Sequence, residues 1–241
     1  MKNILIAFSG KAQSGKTTSA NILKDLILDI QYEQLKNDPN IEAVSRDGDS
    51  LSVVEHGVAY KGYALCVNAA QIHSFATALK KIAKEYFFWD GDKDIYYEDT
   101  TDTGSVDIHP DGQTDTVGRM PIKDRGRQLL INIGQAFRAI RPTIWVDYVV
   151  NNIKKLSANH PDHGIVFLID DMRFKNEIRL CKTFKPCFTI RISRTEQLVI
   201  DDSSETDLDE ETFDYYLLNN GNVQELKVEL EKIYNDILSK I

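Results

Sequence analysis

Short apolar runs alternate along this chain with longer stretches of helical periodicity. Asn3–Ser9 is apolar enough to read as a buried strand, and Ile165–Ile169 and Phe188–Ile192 read the same way. Ile72–Phe75 and Tyr215–Leu218 are shorter strand candidates. Between them lie amphipathic segments with a 3.6-residue period. Thr17–Ile30 puts Ala20, Leu23, Leu26, Ile27 and Ile30 on one face. A helix is predicted from about Ala76 to Phe88. Another is predicted over Arg125–Ile140, with Leu129, Leu130, Ile133, Phe137 and Ile140 inward. Pro142 ends it, because the residue before a proline leaves the helical region. Trp145–Leu156 and a segment from about Phe174 to Phe184 are also helical by pattern. Val223–Ile241 closes the chain, with Val223, Leu226, Leu230, Ile233, Ile237 and Ile241 inward. Residues 42–66 mix Val, Tyr and Gly around Asp47-Gly48 and Lys61-Gly62, which predicts an inserted hairpin. Residues 90–118 are polar, acidic and glycine-bearing, and read as a mobile loop.

Strands alternating with helices predict an α/β fold. The expectation is one domain over residues 1–241, with about five parallel strands, helices on both faces and insertions at about 40–70 and 90–118. A lid-like segment is expected at about 195–213.

Composition narrows the classes. The chain has 241 residues, 42% of them hydrophobic and 27% charged, which excludes a wholly disordered protein. No apolar run approaches the roughly 18 residues that a spanning helix requires, and the N-terminus carries no signal-peptide pattern. Cys66, Cys181 and Cys187 form neither a disulfide framework nor a zinc spacing, so a cytoplasmic location is expected. The net charge of −8 is uneven: residues 90–116 carry −8 and residues 201–211 carry −7, which leaves +7 elsewhere. An acidic chain is a poor general binder of nucleic acid. Its basic remainder still permits a local site for an anionic ligand.

Gly10-Lys11-Ala12-Gln13-Ser14-Gly15-Lys16-Thr17 matches G-x-x-x-x-G-K-[ST] at every fixed position, between a predicted strand and a predicted helix. In such a loop the backbone N–H groups converge on phosphate oxygens at a helix N-terminus. Lys16 reaches the β and γ phosphates, and the Thr17 hydroxyl ligates Mg²⁺. The motif calls for a nucleoside triphosphate without choosing among kinase, GTPase and motor. The absence of a guanine-reading N-K-x-D motif lowers the GTPase reading.

The strand Ile165–Ile169 runs into Asp170-Asp171, an apolar strand ending in a carboxylate, which is the usual partner of the loop's Mg²⁺. Successive strand residues point to opposite faces, so one of the two aspartates faces the site. Asp170 is taken as the metal candidate beside Thr17. Residues 119–141 hold six bases and one acid: Arg119, Lys123, Arg125, Arg127, Arg138 and Arg141 against Asp124. At about 100° per residue, Arg127 and Arg138 lie about 20° apart around their helix. Arginine suits bidentate phosphate binding; a solvated face with the acidic loop as its partner is the plainer alternative. Lys80 sits near a helix start, where it meets an acceptor phosphate or simply solvent. Trp145 either stacks on a base or packs, and its helix position favours packing. Asp90-x-Asp92-x-Asp94 imitates a calcium loop but lacks the required glycine and closing glutamate.

In this order the motifs resemble those of bacteriophage-type deoxynucleoside monophosphate kinases. The resemblance rests on the phosphate loop, Ser74-Phe75-Ala76-Thr77-Ala78-Leu79-Lys80, Gly126-Arg127-Gln128-Leu129-Leu130 with Gly134, and Trp145-Val146. It continues through Asp171-Met172-Arg173-Phe174-Lys175-Asn176-Glu177, Ser204-Glu205 and Asn219-Asn220-Gly221. It implies a P-loop kinase-like fold and transfer of the ATP γ-phosphoryl group to a deoxynucleoside 5′-monophosphate. By the same resemblance ATP meets Gly10, Ala12, Gln13, Ser14, Gly15, Lys16, Thr17, Thr18 and Arg194. Lys80, Arg127, Arg138, Arg141, Trp145, Asp171 and Arg173 line the acceptor side. Lys16, Arg127, Asp171 and Arg173 carry catalysis. The family's histidine before the Ser-Glu pair is Asp202 here, and segments 31–70 and 90–118 diverge. The expected partners are ATP with Mg²⁺ and a deoxynucleoside monophosphate, with no nucleic acid and no membrane; a homodimer is left open. The location expected is the cytoplasm, the host's if the chain is phage-encoded. Two alternatives remain: a P-loop kinase with another small acceptor, and a nucleotide-dependent module acting on nucleic acid.

Overall fold

A computed structural model describes residues 3–47, 50–55, 58–61, 70–89, 91, 125–159, 164–195 and 206–241. The chain divides into two compact units, residues 1–75 with 146–241, and residues 76–145.

The first unit is built on a five-stranded parallel sheet. Its strands are β1 (Ile4–Ser9), β5 (Ala70–His73), β6 (Val166–Met172), β7 (Cys187–Ser193) and β8 (Tyr215–Leu218), in the order β5-β6-β1-β7-β8. β1 pairs with β6 from Ile4↔Val166 to Ala7↔Ile169, then shifts register so that Ser9 meets Met172. On its other side it pairs with β7 from Leu5↔Cys187 to Ser9↔Arg191. All six residues of β1 are buried, as expected for a central parallel strand covered on both faces.

One face carries Ile4, Ile6, Phe8, Leu168, Ile190, Ile192 and Leu217 against α1 (Lys16–Lys36) and α6 (Val223–Ser239). Those helices contribute Leu23, Ile27, Leu226, Leu230, Tyr234 and Ile237. The opposite face is screened partly by α5 (Lys175–Cys181), whose Ile178 and Cys181 are buried. Burying side chains of this size contributes about 1.5–3 kcal/mol each, so the stack on β1 dominates the unit's cohesion.

The inserted antiparallel hairpin is present and carries a third strand: β2 (Ala43–Asp47), β3 (Ser50–Glu55) and β4 (Val58–Lys61), paired in that order. Leu51 of β3 joins the main core, and Arg46 bonds Asp29 of α1.

The second unit contains α2 (Ala76–Phe87) and α3 (Arg125–Ile140). Leu79 and Ala83 of α2 and Ile133 of α3 are buried. The two helices approach closely at Gly134, where a Cβ would stand 3.1 Å from Leu79 Cδ1. Helix α4 (Ile144–Asn159) begins in this unit and continues in the first, where Val149 and Ile153 are buried.

Several sequence expectations are corrected. α1 runs to Lys36 instead of Ile30, because Tyr32 and Leu35 continue its core-facing stripe. β6 continues through both aspartates to the fully buried Met172. Ile140, expected inward, is 81% exposed; Val223 and Ile241, also expected inward, are exposed too. Residues 92–124 and 196–205 lie outside the described residues, and with them most of the acidic loop, Arg119, Lys123, Asp202 and Ser204-Glu205. Among the described residues no helix is long and apolar enough to cross a membrane.

Candidate active site

In a parallel sheet all strand carboxyl ends lie on one edge, which is where open α/β folds bind ligands. Here that edge gathers the phosphate loop after β1, Ser74 after β5, Asp170 and Asp171 near the end of β6, Arg194 after β7 and Asn219 after β8.

The loop's two glycines are required by geometry. Gly10 has φ +151° and Gly15 φ +98°, where a side chain is strained. A Cβ on Gly10 would stand 2.3 Å from the Ile192 carbonyl oxygen, and one on Gly15 would stand 2.4 Å from Asn219 Nδ2. Gln13 also has positive φ, +61°. Ala12 and Thr18 are within the loop and its helix, and Ser14 is buried.

Lys16 opens α1 and is only 8% exposed. Its Nζ donates to the carbonyl oxygens of Gly10 at 2.6 Å and Lys11 at 2.8 Å, so the ammonium is folded over the loop it belongs to. The Thr17 hydroxyl donates to Asp170 Oδ2 at 3.0 Å. Asp170 is 6% exposed, and its Oδ1 accepts from Ser74 Oγ. Asp171 follows where β6 shifts register against β1, and its Oδ1 accepts from the Phe75 backbone N–H at 2.8 Å. Their hydrogen-bond partners therefore assign the two carboxylates to different tasks. Asp170 stands beside the loop's hydroxyl, and Asp171 holds the turn that follows β5.

A hydroxyl and a carboxylate, both hard oxygen donors, fit Mg²⁺, which takes one or two protein ligands and completes its shell with phosphates and water. Among the described residues no cluster of three or more His, Cys, Asp or Glu could hold a metal, and such a site needs none.

Arg173 is positioned through its backbone. Glu177, buried on α5, accepts from the N–H groups of Arg173 at 2.7 Å and Phe174 at 3.0 Å. This satisfies N–H groups that the start of a helix leaves unpaired. Glu177 is thus the physical content of the Asp-x-Arg segment with its following glutamate. Arg194 is exposed just beyond β7.

Lys80, Arg127, Arg138, Arg141 and Trp145 belong to the second unit. Lys80, Arg127 and Arg141 are exposed, and Arg138 is half-buried beside Gly134. Trp145 is 3% exposed; its Nε1 donates to the Gly134 carbonyl at 3.4 Å, and its ring meets Phe137 at 5.4 Å between centroids. Its side chain is packed within this unit.

The sequence did not single out several edge residues. Arg191 of β7 donates to Ser9 Oγ at 2.9 Å and pairs with Asp209, which also stands 3.7 Å from Lys11 Nζ of the loop. Asp207 accepts from the Lys175 N–H at 2.7 Å. The acidic run 201–211 therefore has a local role in its described part, offsetting cations beside the phosphate loop. Asn219 and Ser74 appeared only as letters within motifs. Their signal was topological: each follows a strand of one parallel sheet.

His73, at the end of β5, is held below the usual histidine range by burial. Comparison with protein-family models and with curated proteins finds no match.

Proposed function

We propose that the chain is an ATP-dependent phosphotransferase that converts deoxynucleoside 5′-monophosphates to diphosphates. The observation that carries the nucleotide half of this reading is the 3.0 Å approach of the Thr17 hydroxyl to Asp170. Two groups 153 residues apart meet beside a glycine loop of the required spacing. The acceptor half is supported by the near alignment of Arg127 and Arg138 on α3 and by the ordered family resemblance.

The chemistry follows from charge. An acceptor phosphate oxygen is already nucleophilic near neutral pH, so no strong general base is needed. It attacks the γ phosphorus in line; the new P–O bond forms as the bond to the β–γ bridging oxygen breaks, and ADP carries away the electron pair. The loop N–H groups hold the β phosphate. Lys16 exchanges a loop carbonyl for a phosphate oxygen. Arg127 and Arg138 orient the acceptor, and Arg173 and Arg194 offset charge on the migrating group. Thr17 and Asp170 would hold Mg²⁺, which supplies further neutralisation of phosphate charge when bound. The substrates fit a cytoplasmic setting, that of the host if the chain is phage-encoded.

The test is ADP release with Mg-ATP against each deoxynucleoside monophosphate and against no acceptor, with product identified. Acceptor-dependent release with a diphosphate product is expected. Release that ignores the acceptor would replace the kinase by an ATPase. No release with any monophosphate, but release with an unphosphorylated acceptor, would discard the acceptor assignment.

A further inference from the structure

Asn219 is a polar side chain in an unusually closed place. It follows β8 directly and is 5% exposed. Its backbone N–H donates to the Ser193 carbonyl at 2.8 Å, extending the β7–β8 pairing by one residue. Its side-chain Nδ2 donates to the Ser14 carbonyl at 2.9 Å, within the phosphate loop and 205 residues away in sequence. The same Nδ2 lies 2.4 Å from the point where a Cβ on Gly15 would be. The amide thus fits against Gly15 only because Gly15 has no side chain.

The peptide unit that joins Ser14 to Gly15 is planar, and in a trans unit the carbonyl and the N–H point to opposite sides. Whatever fixes the Ser14 carbonyl therefore fixes the Gly15 N–H as well. Gly15 has unusual rotational freedom, and a loop of such residues has to be held from outside to present its N–H groups in one direction. The anchor at the other end is rigid, since Asn219 is tied to the sheet through Ser193. The next residue, Asn220, fastens Thr195 from the same turn, accepting from its N–H at 2.9 Å and donating to its hydroxyl.

We propose that Asn219 is a positioning residue for nucleotide binding. By holding the Ser14 carbonyl outward it aims the Gly15 N–H at the β phosphate. The inference rests on the reading of Gly10–Thr17 as a triphosphate cradle and adds a residue from the far end of the chain to it. Asparagine is specified because the position needs a flat donor. Aspartate has the same shape but sets a carboxylate oxygen against the Ser14 carbonyl oxygen, and alanine removes the donor.

The experiment measures binding of fluorescent ATP, ADP and AMP analogues to the full chain, with Asn219→Asp and Asn219→Ala beside the wild type. Expected is a loss of about tenfold or more for ATP and ADP, equivalent to about 1.4 kcal/mol, with AMP binding changed less than twofold. In steady state, KM for ATP rises while KM for the acceptor stays within twofold. A merely structural residue would move all these together. Affinity for ATP within twofold of wild type in both variants overturns the proposal. So does an equal loss for AMP, or the absence of a cooperative melting transition in both variants. Lys16→Ala separates this from the underlying reading: if it binds ATP as well as wild type does, the cradle itself is wrong and the role of Asn219 falls with it.

Discussion

Asp170→Asn separates fold from chemistry at the centre of the site. The substitution keeps the shape of the side chain and removes its negative charge. In the structure that carboxylate accepts two hydroxyl hydrogen bonds, from Thr17 and from Ser74. A hydrogen bond to a charged acceptor contributes about 1.5–3 kcal/mol, and one between neutral groups about 0.5–1.5 kcal/mol. The loss is then about 1 kcal/mol per bond and about 2 kcal/mol for the pair. Relief of a buried charge opposes it, so this is an upper bound. For a chain of this size the melting temperature should fall by no more than about 8 °C. With an ordinary domain stability of about 5–15 kcal/mol, the variant remains more than about 99% folded at 25 °C. Unfolding cannot then account for a large loss of activity. Removing one preorganised electrostatic group from a site typically lowers kcat by about 10²–10³, and a shift to higher Mg²⁺ at half-maximal rate should accompany it. ADP release measured across a Mg²⁺ titration, with a melting curve for each variant, reads both quantities. Turnover within threefold of wild type, with an unchanged Mg²⁺ midpoint, would refute the assignment. Asp171→Asn is the internal comparison: its carboxylate accepts from the Phe75 N–H, a bond that an amide oxygen can keep. If Asp171→Asn moves the Mg²⁺ midpoint and Asp170→Asn does not, the two roles are reversed.

Lys16→Ala should lower phosphoryl transfer by at least about 10³-fold with an unchanged circular-dichroism spectrum, since its ammonium donates to the Gly10 and Lys11 carbonyls of its own loop; retained transfer would contradict the loop's role. Arg127→Ala should raise KM for the monophosphate by about tenfold or more, as expected for loss of one charge-assisted contact, and leave KM for ATP within twofold; unchanged acceptor kinetics would remove Arg127 from the acceptor side. Burial pushes the Cys187 thiol up to about 12 and Cys181 well above the ordinary thiol range, so neither should be alkylated in the folded protein at pH 8, as peptide mass mapping would report. Because the folded state holds the Cys187 proton more tightly than the unfolded chain, stability should fall as pH rises from about 9 toward 12, with Tyr234, likewise pushed up by burial to about 12, adding to the fall above about 10. A melting temperature flat across that range would contradict the burial of both groups.

The fold was legible wherever side-chain pattern and tertiary burial coincide. α3 and β8 have the bounds that periodicity predicted, and the α/β alternation predicted a five-stranded parallel sheet. Pattern failed where partners are distant. A pair of aspartates ordinarily closes a strand, yet β6 runs through both. Asp170 finds two hydroxyls, one 153 residues earlier and one 96 earlier, and Asp171 finds a backbone donor 96 residues earlier. Pattern also ran too far: the stripes of α3 and α6 extend in sequence to Ile140, Val223 and Ile241, but the side chains there are exposed. The inward stripe reports which face is apolar, and the reach of the neighbouring element decides where burial stops.

The site divides along the same line. The local part, loop plus hydroxyl plus strand-end carboxylate, is written in short spacings because consecutive residues must cradle one phosphate chain. The supporting part is written in strand order. Arg191 lies in no motif, and nothing in the motifs that hold Ser74 and Asn219 marks those two out from the other polar residues beside them. They become legible only once β5, β7 and β8 are known to be parallel strands of one sheet, since parallel strands bring their carboxyl ends to a common edge. Gly15 shows how the two parts meet. Its spacing within the loop marks it as a glycine required by the backbone, while the atom that occupies its missing side chain's place comes from Asn219. The motif and its support are therefore one constraint: a side chain at residue 15 would displace the amide at residue 219, and losing that amide would release the carbonyl that residue 15 depends on.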